Sequence, residues 1–259
     1  MQFAARKKKA HRKIICNRKS RTRLGGAAQP SYHPLNPGDV SRQIAKPMRL
    51  SLIAMSGSGK SYWSAKLAKH GFRHFDCDRM IAAKLGPMLK RSDGTVLSLG
   101  EWMGFPYQDG YQERETQYLE YEKKVLAEIY AVIEKDPLDP QSKIVIDTTG
   151  SVIYTGKKCL DQLRRLTTVV YLEIPFTKKD QMLQAYRIDP RPVLWQGKFF
   201  RKLQENNMEA LDRCYAELLS ARERLYSRCA HVTIPYNRYR KRGWRTVDFL
   251  ATIKMRLQQ

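Results

Sequence analysis

The stretch that most constrains this chain is Met48 to Arg79, MRLSLIAMSGSGKSYWSAKLAKHGFRHFDCDR. It opens with a short apolar run, Leu50, Leu52, Ile53 and Ala54, bounded by turn residues as a buried parallel strand is. Ser56-Gly57-Ser58-Gly59-Lys60-Ser61 follows. Glycines there let backbone N–H groups turn inward and approach phosphate oxygens closely. In that geometry Lys60 reaches the β- and γ-phosphates of ATP and the Ser61 hydroxyl sits on Mg²⁺. A helix from about Lys60 to His70 points its positive end at the same anion. Gly71 ends that helix. Ser56, Gly57, Ser58, Gly59, Lys60, Ser61 and Tyr62 are the expected cofactor-binding positions. The phosphate-loop pattern G-x-x-x-x-G-K-[ST] has glycine where this chain has Ala54. The plainer explanation is a chance glycine-rich turn, and it has to account for a strand before and a helix after, the context the motif demands.

A second strand, Phe72 to Phe75, closes on Asp76-Cys77-Asp78. Carboxylates at the C-terminal end of a strand, beside a phosphate site, lie where α/β proteins bind ligands. The competing role for Asp78 is the cap of a helix over Arg79–Leu85. Lys143-Ile144-Val145-Ile146-Asp147 reads as a buried strand ending in an acid. Asp147 is placed to hold a Mg²⁺-bound water next to Ser61, and Asp76 joins Ser61 and Asp147 as a metal position. Thr148-Thr149-Gly150-Ser151 makes a tight polar turn. Thr167 to Ile174 is the fourth strand and His231 to Ile234 the fifth. Helical segments between them include Glu113–Glu134, 203–229 and Val247–Leu257. The alternation predicts an α/β fold, a three-layer α/β/α sandwich with a five-stranded parallel sheet.

Other segments are read by their charge and turns. Residues 86–112 are loop-rich, with turn signals at Ser92-Asp93-Gly94 and Asp109-Gly110. Arg114 falls in the first turn of a helix, where a cation opposes the dipole; the alternatives are a site role or a surface pair with a neighbouring glutamate. Residues 175–202 carry Arg187, Arg191, Lys198, Arg201 and Lys202 around IDPRPVLW, which suits a mobile flap over phosphates or an ordinary basic loop. Tyr236 to Arg245 interleaves aromatics with cations. That is the composition of a nucleic-acid patch, and equally of a loop packing on the base of ATP.

The chain has 48 Lys+Arg against 25 Asp+Glu, a net charge of +23. Residues 1–47 hold 12 of these cations and one acid, Asp39, and so supply +11 of the total. That segment is basic, rich in Gly and Pro, and short of apolar periodicity. It reads as a disordered arm ahead of a phosphate-loop domain over 48–259. A solvated tail is the favoured role, with nucleic-acid binding or organelle targeting as the alternatives. No apolar run reaches the length of a membrane span. Cys16, Cys77, Cys159, Cys214 and Cys229 lie far apart with no C-x-x-C, which fits free thiols in a reducing compartment and a cytoplasmic location. A monomer acting on a small molecule is expected.

These residues together resemble the shikimate kinase family of P-loop small-molecule kinases. The resemblance runs from about Met48 to the C-terminus. The phosphate loop resembles the family's GSGKS turn, and Asp76-x-Asp78 its D-x-D element. Arg114, in GYQERETQ, falls where the family places the arginine of its F-R-x-x-E helix. Thr148-Thr149-Gly150 stands where the family has three glycines. Arg191-Pro192-Val193-Leu194 resembles the lid's R-P-L-L, and Arg222-x-x-Leu225-Tyr226 the R-x-x-L-Y of the helix that follows. The resemblance implies phosphoryl transfer from ATP to a hydroxyl of a small metabolite, with shikimate or a similar hydroxy acid first. A nucleoside, a nucleotide or another small molecule is the alternative. It implies that Asp78, Arg114, Gly150 and Arg222 hold the acceptor. Lys60, Asp78 and Arg191 carry the catalysis, and Arg187 and Arg191 cover the ATP phosphates. Three departures bear on the acceptor: Thr148 and Thr149 replace glycines and are expected to narrow the pocket, Gln117 replaces the helix's glutamate, and Asp147 is closer to nucleoside monophosphate kinases.

Overall fold

The structure, a computed structural model, describes residues 48–135 and 142–259. The basic arm, residues 1–47, lies outside the described residues, and Cys16 with it.

Five parallel strands form one sheet: β1 (Arg49–Ile53), β2 (Arg73–Asp76), β3 (Ile144–Asp147), β4 (Thr168–Leu172) and β5 (Val232–Ile234). Their spatial order is β2-β3-β1-β4-β5. β1 and β3 are buried at every position. Successive strand residues face opposite sides, so burial of all of them means cover on both faces, which is why these strands read as continuous apolar runs. Helices supply the cover: α1 (Lys60–Ala68), α2 (Cys77–Leu85), α3 (Leu99–Met103), α4 (Tyr111–Lys135), α5 (Lys157–Leu166), α6 (Lys179–Ile188), α7 (Asn207–Cys229), α8 (Tyr236–Tyr239) and α9 (Thr246–Arg256). The three-layer α/β/α architecture is the one the sequence predicts.

Register fixes the site. Asp147 pairs with Leu52 of β1 on one side and with Asp76 of β2 on the other. Two strand-end carboxylates therefore sit level with each other, just below the loop that leaves β1. A packed core holds that register: Leu52, Ile53, Val145, Ile146, Val169 and Val170 are fully buried. Each such aliphatic side chain is worth roughly 1.5–3 kcal/mol of burial. Trp63 of α1 stacks on Phe249 of α9 at 4.5 Å, which pins the start of the chain's fold to its end.

Four local readings change. The cap of α2 is Asp76, whose side chain accepts the Arg79 amide at 3.0 Å. Asp78 sits inside the first turn and is free of that duty. The loop-rich stretch 86–112 contains α3, closed by a capping box in which Ser98 and Glu101 bond each other's backbone amides. The stretch 175–202 begins with α6, and its Val193, Leu194 and Trp195 are buried. The helix expected over 203–229 begins at Asn207, where Asn206 and Glu209 form a second capping box.

Candidate active site

The loop after β1 takes the conformation its glycines allow. Gly57 and Gly59 have φ of 79° and 102°, in the left-handed region that favours glycine. Lys60 opens α1, and its side chain is buried and folds back over the loop. Its ammonium donates to the carbonyls of Ala54 at 3.1 Å and Met55 at 3.3 Å. The alanine at position 54 is fully buried and contributes its carbonyl. Burial pulls the Lys60 pKa down, and the charges of Asp147 and Asp78 pull it back up. The amides of Lys60, Ser61 and Tyr62 lie in the first turn, where helix N–H groups have no intrahelical partner. The Tyr62 ring itself is 54% exposed and lies under the Lys66 ammonium, on the solvent side of α1. That leaves its backbone amide as the group it can offer to a phosphate.

Asp147 is buried and hydrogen-bonded with Ser61, and its Oδ1 has no partner among the described residues. Burial raises its pKa, opposed by Lys60. A hydroxyl and an orphaned carboxylate oxygen fit Mg²⁺, which is commonly held by one or two carboxylates, waters and substrate phosphates rather than by a protein cage. Among the described residues no three His, Cys, Asp or Glu side chains cluster as a metal cage would. Asp76 uses Oδ1 to cap α2 and lies level with Asp147 in the strand register, while Ser61 and Asp147 are the hydrogen-bonded pair with an unpartnered carboxylate oxygen.

A second group of charges, Asp78 and Arg222, also acts on Lys60. Asp78 accepts the Tyr118 hydroxyl of α4 at 2.7 Å. The aspartate is reached by solvent on one side and crowded by protein on the others. That crowding raises its pKa, while the Tyr118 bond and Lys60 lower it. Arg222 of α7 is 2% exposed, and its guanidinium lies 5.4 Å from the centre of the Tyr154 ring. Its Nε and Nη2 have no hydrogen-bond partner among the described residues. A buried guanidinium with two unmet donors has the capacity to bind a group that accepts both.

The Thr148-Thr149-Gly150 turn corrects the expectation of a narrowed pocket. Both threonines are buried. Thr148 donates to the Leu52 carbonyl at 2.7 Å, and Thr149 donates to Glu122 of α4. Their hydroxyls therefore point back into the protein. The Tyr226 hydroxyl donates to the Gly150 carbonyl from α7. Glu122 escaped the sequence reading because it falls among the apolar residues of α4 with no motif around it. The signal that could have found it is an acid on the core stripe, between Tyr118 and Leu126.

The remaining arginines differ. Arg114 donates to the carbonyls of Met103 and Asp109, both at 3.0 Å, and so ties down the loop between α3 and α4. It forms neither the expected surface pair with a glutamate nor any recorded contact with Arg222 or Asp78. Arg187 pairs with Asp212 of α7. Arg191 pairs with Asp189 and lines a cleft of about 410 Å³. That cleft runs beside Ser56 and Gly57 and between Tyr186, Tyr236 and Arg240. Arg240, from the aromatic and basic segment after β5, donates to the carbonyls of Gly57 at 3.3 Å and Ser58 at 3.2 Å.

No protein-family model and no curated protein sequence matches this chain. Solved structures do. The shikimate kinase from Acinetobacter baumannii, in complex with shikimate, aligns with a TM-score of 0.52 and 23% identity, over 84% of this chain and 96% of that one. The shikimate kinase from Bacteroides thetaiotaomicron aligns over 82% of this chain and 94% of its own, with 18% identity and a TM-score of 0.49. The first likeness establishes the fold: a shikimate-kinase-like P-loop fold, of the type that small-molecule kinases use.

Proposed function

We propose that the protein is an ATP-dependent kinase that transfers the γ-phosphoryl group to a hydroxyl of a small anionic metabolite, with shikimate or a similar hydroxy acid the first candidate. The observation that carries this is the placement of Lys60. It lies buried at the head of a phosphate loop, and the negative charges of Asp147 and Asp78 both act on its ammonium. Phosphoryl transfer asks a protein for little covalent chemistry and much positioning and charge compensation. The loop amides from Ser56 to Tyr62 bind and orient the nucleotide's phosphates. Lys60 and Arg191 offset the charge that spreads over the transferred group. Ser61 and Asp147 hold Mg²⁺, which supplies further charge compensation on the phosphate oxygens. Asp78 takes the proton of the attacking hydroxyl; its raised pKa makes it the stronger base, and the Tyr118 bond fixes its direction.

Arg222 supports the anionic part of the reading. Its two unmet donors match the two oxygens of a carboxylate. With Arg114 engaged on loop carbonyls, one buried arginine does the work that the resemblance divides between two. The free thiols at Cys77, Cys159, Cys214 and Cys229 fit a cytoplasmic enzyme. Among the described residues no helix is long and apolar enough to cross a membrane. The test is ADP release with Mg²⁺-ATP over a panel of shikimate, other hydroxy acids, sugars, sugar acids, nucleosides and nucleotides. Turnover confined to anionic hydroxy compounds is expected. Turnover of nucleosides alone would overturn the role given to Arg222, and no turnover at all would overturn the kinase reading.

A further inference from the structure

Two helices grip the turn after β3 from opposite sides. From α4, Glu122 is 1% exposed and accepts the hydroxyl protons of Thr149 and of Ser151, the latter at 2.6 Å. From α7, Tyr226 donates to the Gly150 carbonyl. Thr149 Oγ1 in turn accepts the Ser151 amide at 3.1 Å. Gly150 is thus bracketed by two residues whose hydroxyls end on one carboxylate. Arg222, with its unmet donors, lies one helical turn before Tyr226. A glycine-only turn offers no side chain for such a tether, so the substitution of Thr149 and the burial of Glu122 go together.

We propose that Glu122 is a positioning residue for the phosphoryl acceptor: it fixes the Gly150 turn against Arg222, and its charge state sets how tightly an anionic acceptor binds. This rests on the kinase reading above. The tether survives in either charge state, because a hydroxyl can donate to a carboxylate or accept from a carboxylic acid. The charge does not. Asp78 and Cys77 face Glu122 from α2, Tyr118 and Tyr130 from its own helix, Cys159 from α5, and Arg222 and Tyr226 from α7. Burial pushes the Glu122 carboxyl up to about 7, with the Ser151 and Thr149 hydroxyls pulling the other way. An acceptor carboxylate arriving at Arg222 adds a negative charge beside it and so favours the proton on Glu122. Linkage makes the relation reciprocal: a protonated Glu122 favours the acceptor. Acceptor affinity therefore falls as pH rises through about 7, while ATP affinity does not follow.

The experiment has two arms on the full chain. The first needs no ligand: amide hydrogen exchange at Ser151 in wild type, Glu122→Ala, Glu122→Gln and Thr149→Val. Exchange at least about tenfold faster in Glu122→Ala and Thr149→Val is expected, with Glu122→Gln nearer wild type, because Glu122→Ala loses and Glu122→Gln keeps the bond that orients the Thr149 hydroxyl, while Thr149→Val removes the hydroxyl that accepts the Ser151 amide. Thr149→Val keeps the shape, so it answers even if the alanine variant fails to fold. Unchanged exchange in Thr149→Val overturns the proposal. The second arm reads KM against kcat for the acceptor that the panel identifies. Wild type should show acceptor KM rising about tenfold from pH 6 to pH 8, and Glu122→Gln should be flat over that range with ATP KM unchanged. A Glu122→Gln profile that parallels wild type overturns the proposal. If wild type turns over no acceptor, the kinase reading fails and the acceptor role with it, and the exchange arm still reports whether Glu122 holds the turn.

Discussion

Lys60 shows how burial changes what a single residue is asked to do. As a surface ammonium it could be removed with little effect on the fold. Here its charge is buried and its hydrogen bonds end on carbonyls of its own loop. Lys60→Met keeps the stem and removes the charge. Turnover should fall by about a thousandfold or more, on the order of 4 kcal/mol of barrier. The melting temperature should hold or rise, since the variant no longer desolvates a cation. Turnover above a tenth of wild type would contradict the assignment of the phosphate loop. Arg222 makes the companion case. Charge-assisted bonds to a bound carboxylate are worth roughly 1.5–3 kcal/mol, so Arg222→Met should raise acceptor KM about 10- to 150-fold with ATP KM unchanged. Arg114→Met should act elsewhere, lowering the melting temperature by freeing the Met103 and Asp109 carbonyls and leaving acceptor KM within a few-fold. Equal KM effects in steady-state kinetics of both variants would mean that Arg114 reaches the acceptor after all.

Elements made of continuous apolar runs or of 3.6-residue stripes were legible in the sequence. β1, β3 and β4 are buried on both faces, and α4 and α7 carry long apolar stripes, so local pattern and tertiary need agree. The phosphate loop was legible because its backbone geometry demands Gly57, Gly59, Lys60 and Ser61 in that order. What escaped depends on contacts across the chain. The sequence offers Asp78 as a cap of α2, and the structure gives that duty to Asp76. Glu122 and Arg240 act through partners 27 and 183 residues away. Gly100 belongs to the same class. It lies in α3, and a Cβ there would overlap the Pro190 carbonyl, just ahead of Arg191. α3 and the segment carrying Arg191 therefore meet backbone to backbone. Gly100→Ala should push Arg191 off the phosphate cleft. ATP KM should rise and kcat fall, while Lys60 and Asp78 stay in place. The check is kinetics beside the variant's near-ultraviolet circular dichroism, and unaltered ATP KM would mean that the segment shifts at no cost.

At the scale of the whole molecule, charge is divided by segment. The first 47 residues contribute +11 of the +23. Their composition gives them no apolar face to dock, so deleting them should leave kcat, KM and melting temperature unchanged, and a loss in any of these would show that the arm contacts the domain. The domain's own response to pH is set by buried carboxyls. Glu122 and Asp147 both have pKa values raised by burial. An acid whose folded pKa exceeds its unfolded value holds its proton longer in the folded chain. Its contribution is greatest below the unfolded pKa and is lost as pH rises through the folded one. For Glu122 that window runs from the model-compound value of 4.5 to about 7. The full shift corresponds to roughly 3 kcal/mol. His231 works against it, because burial and Arg164 lower its pKa and make its contribution grow as pH rises. The wild-type profile is therefore a sum of opposed terms, and the informative quantity is a difference. Glu122→Gln removes one titration and leaves the rest. Its melting temperature, measured against wild type, should gain about 5–10 °C between pH 5 and pH 7.5. A difference that stays constant across that range would mean that Glu122 is already ionised at pH 5, and that the Thr149 and Ser151 hydroxyls outweigh the cost of burying its charge.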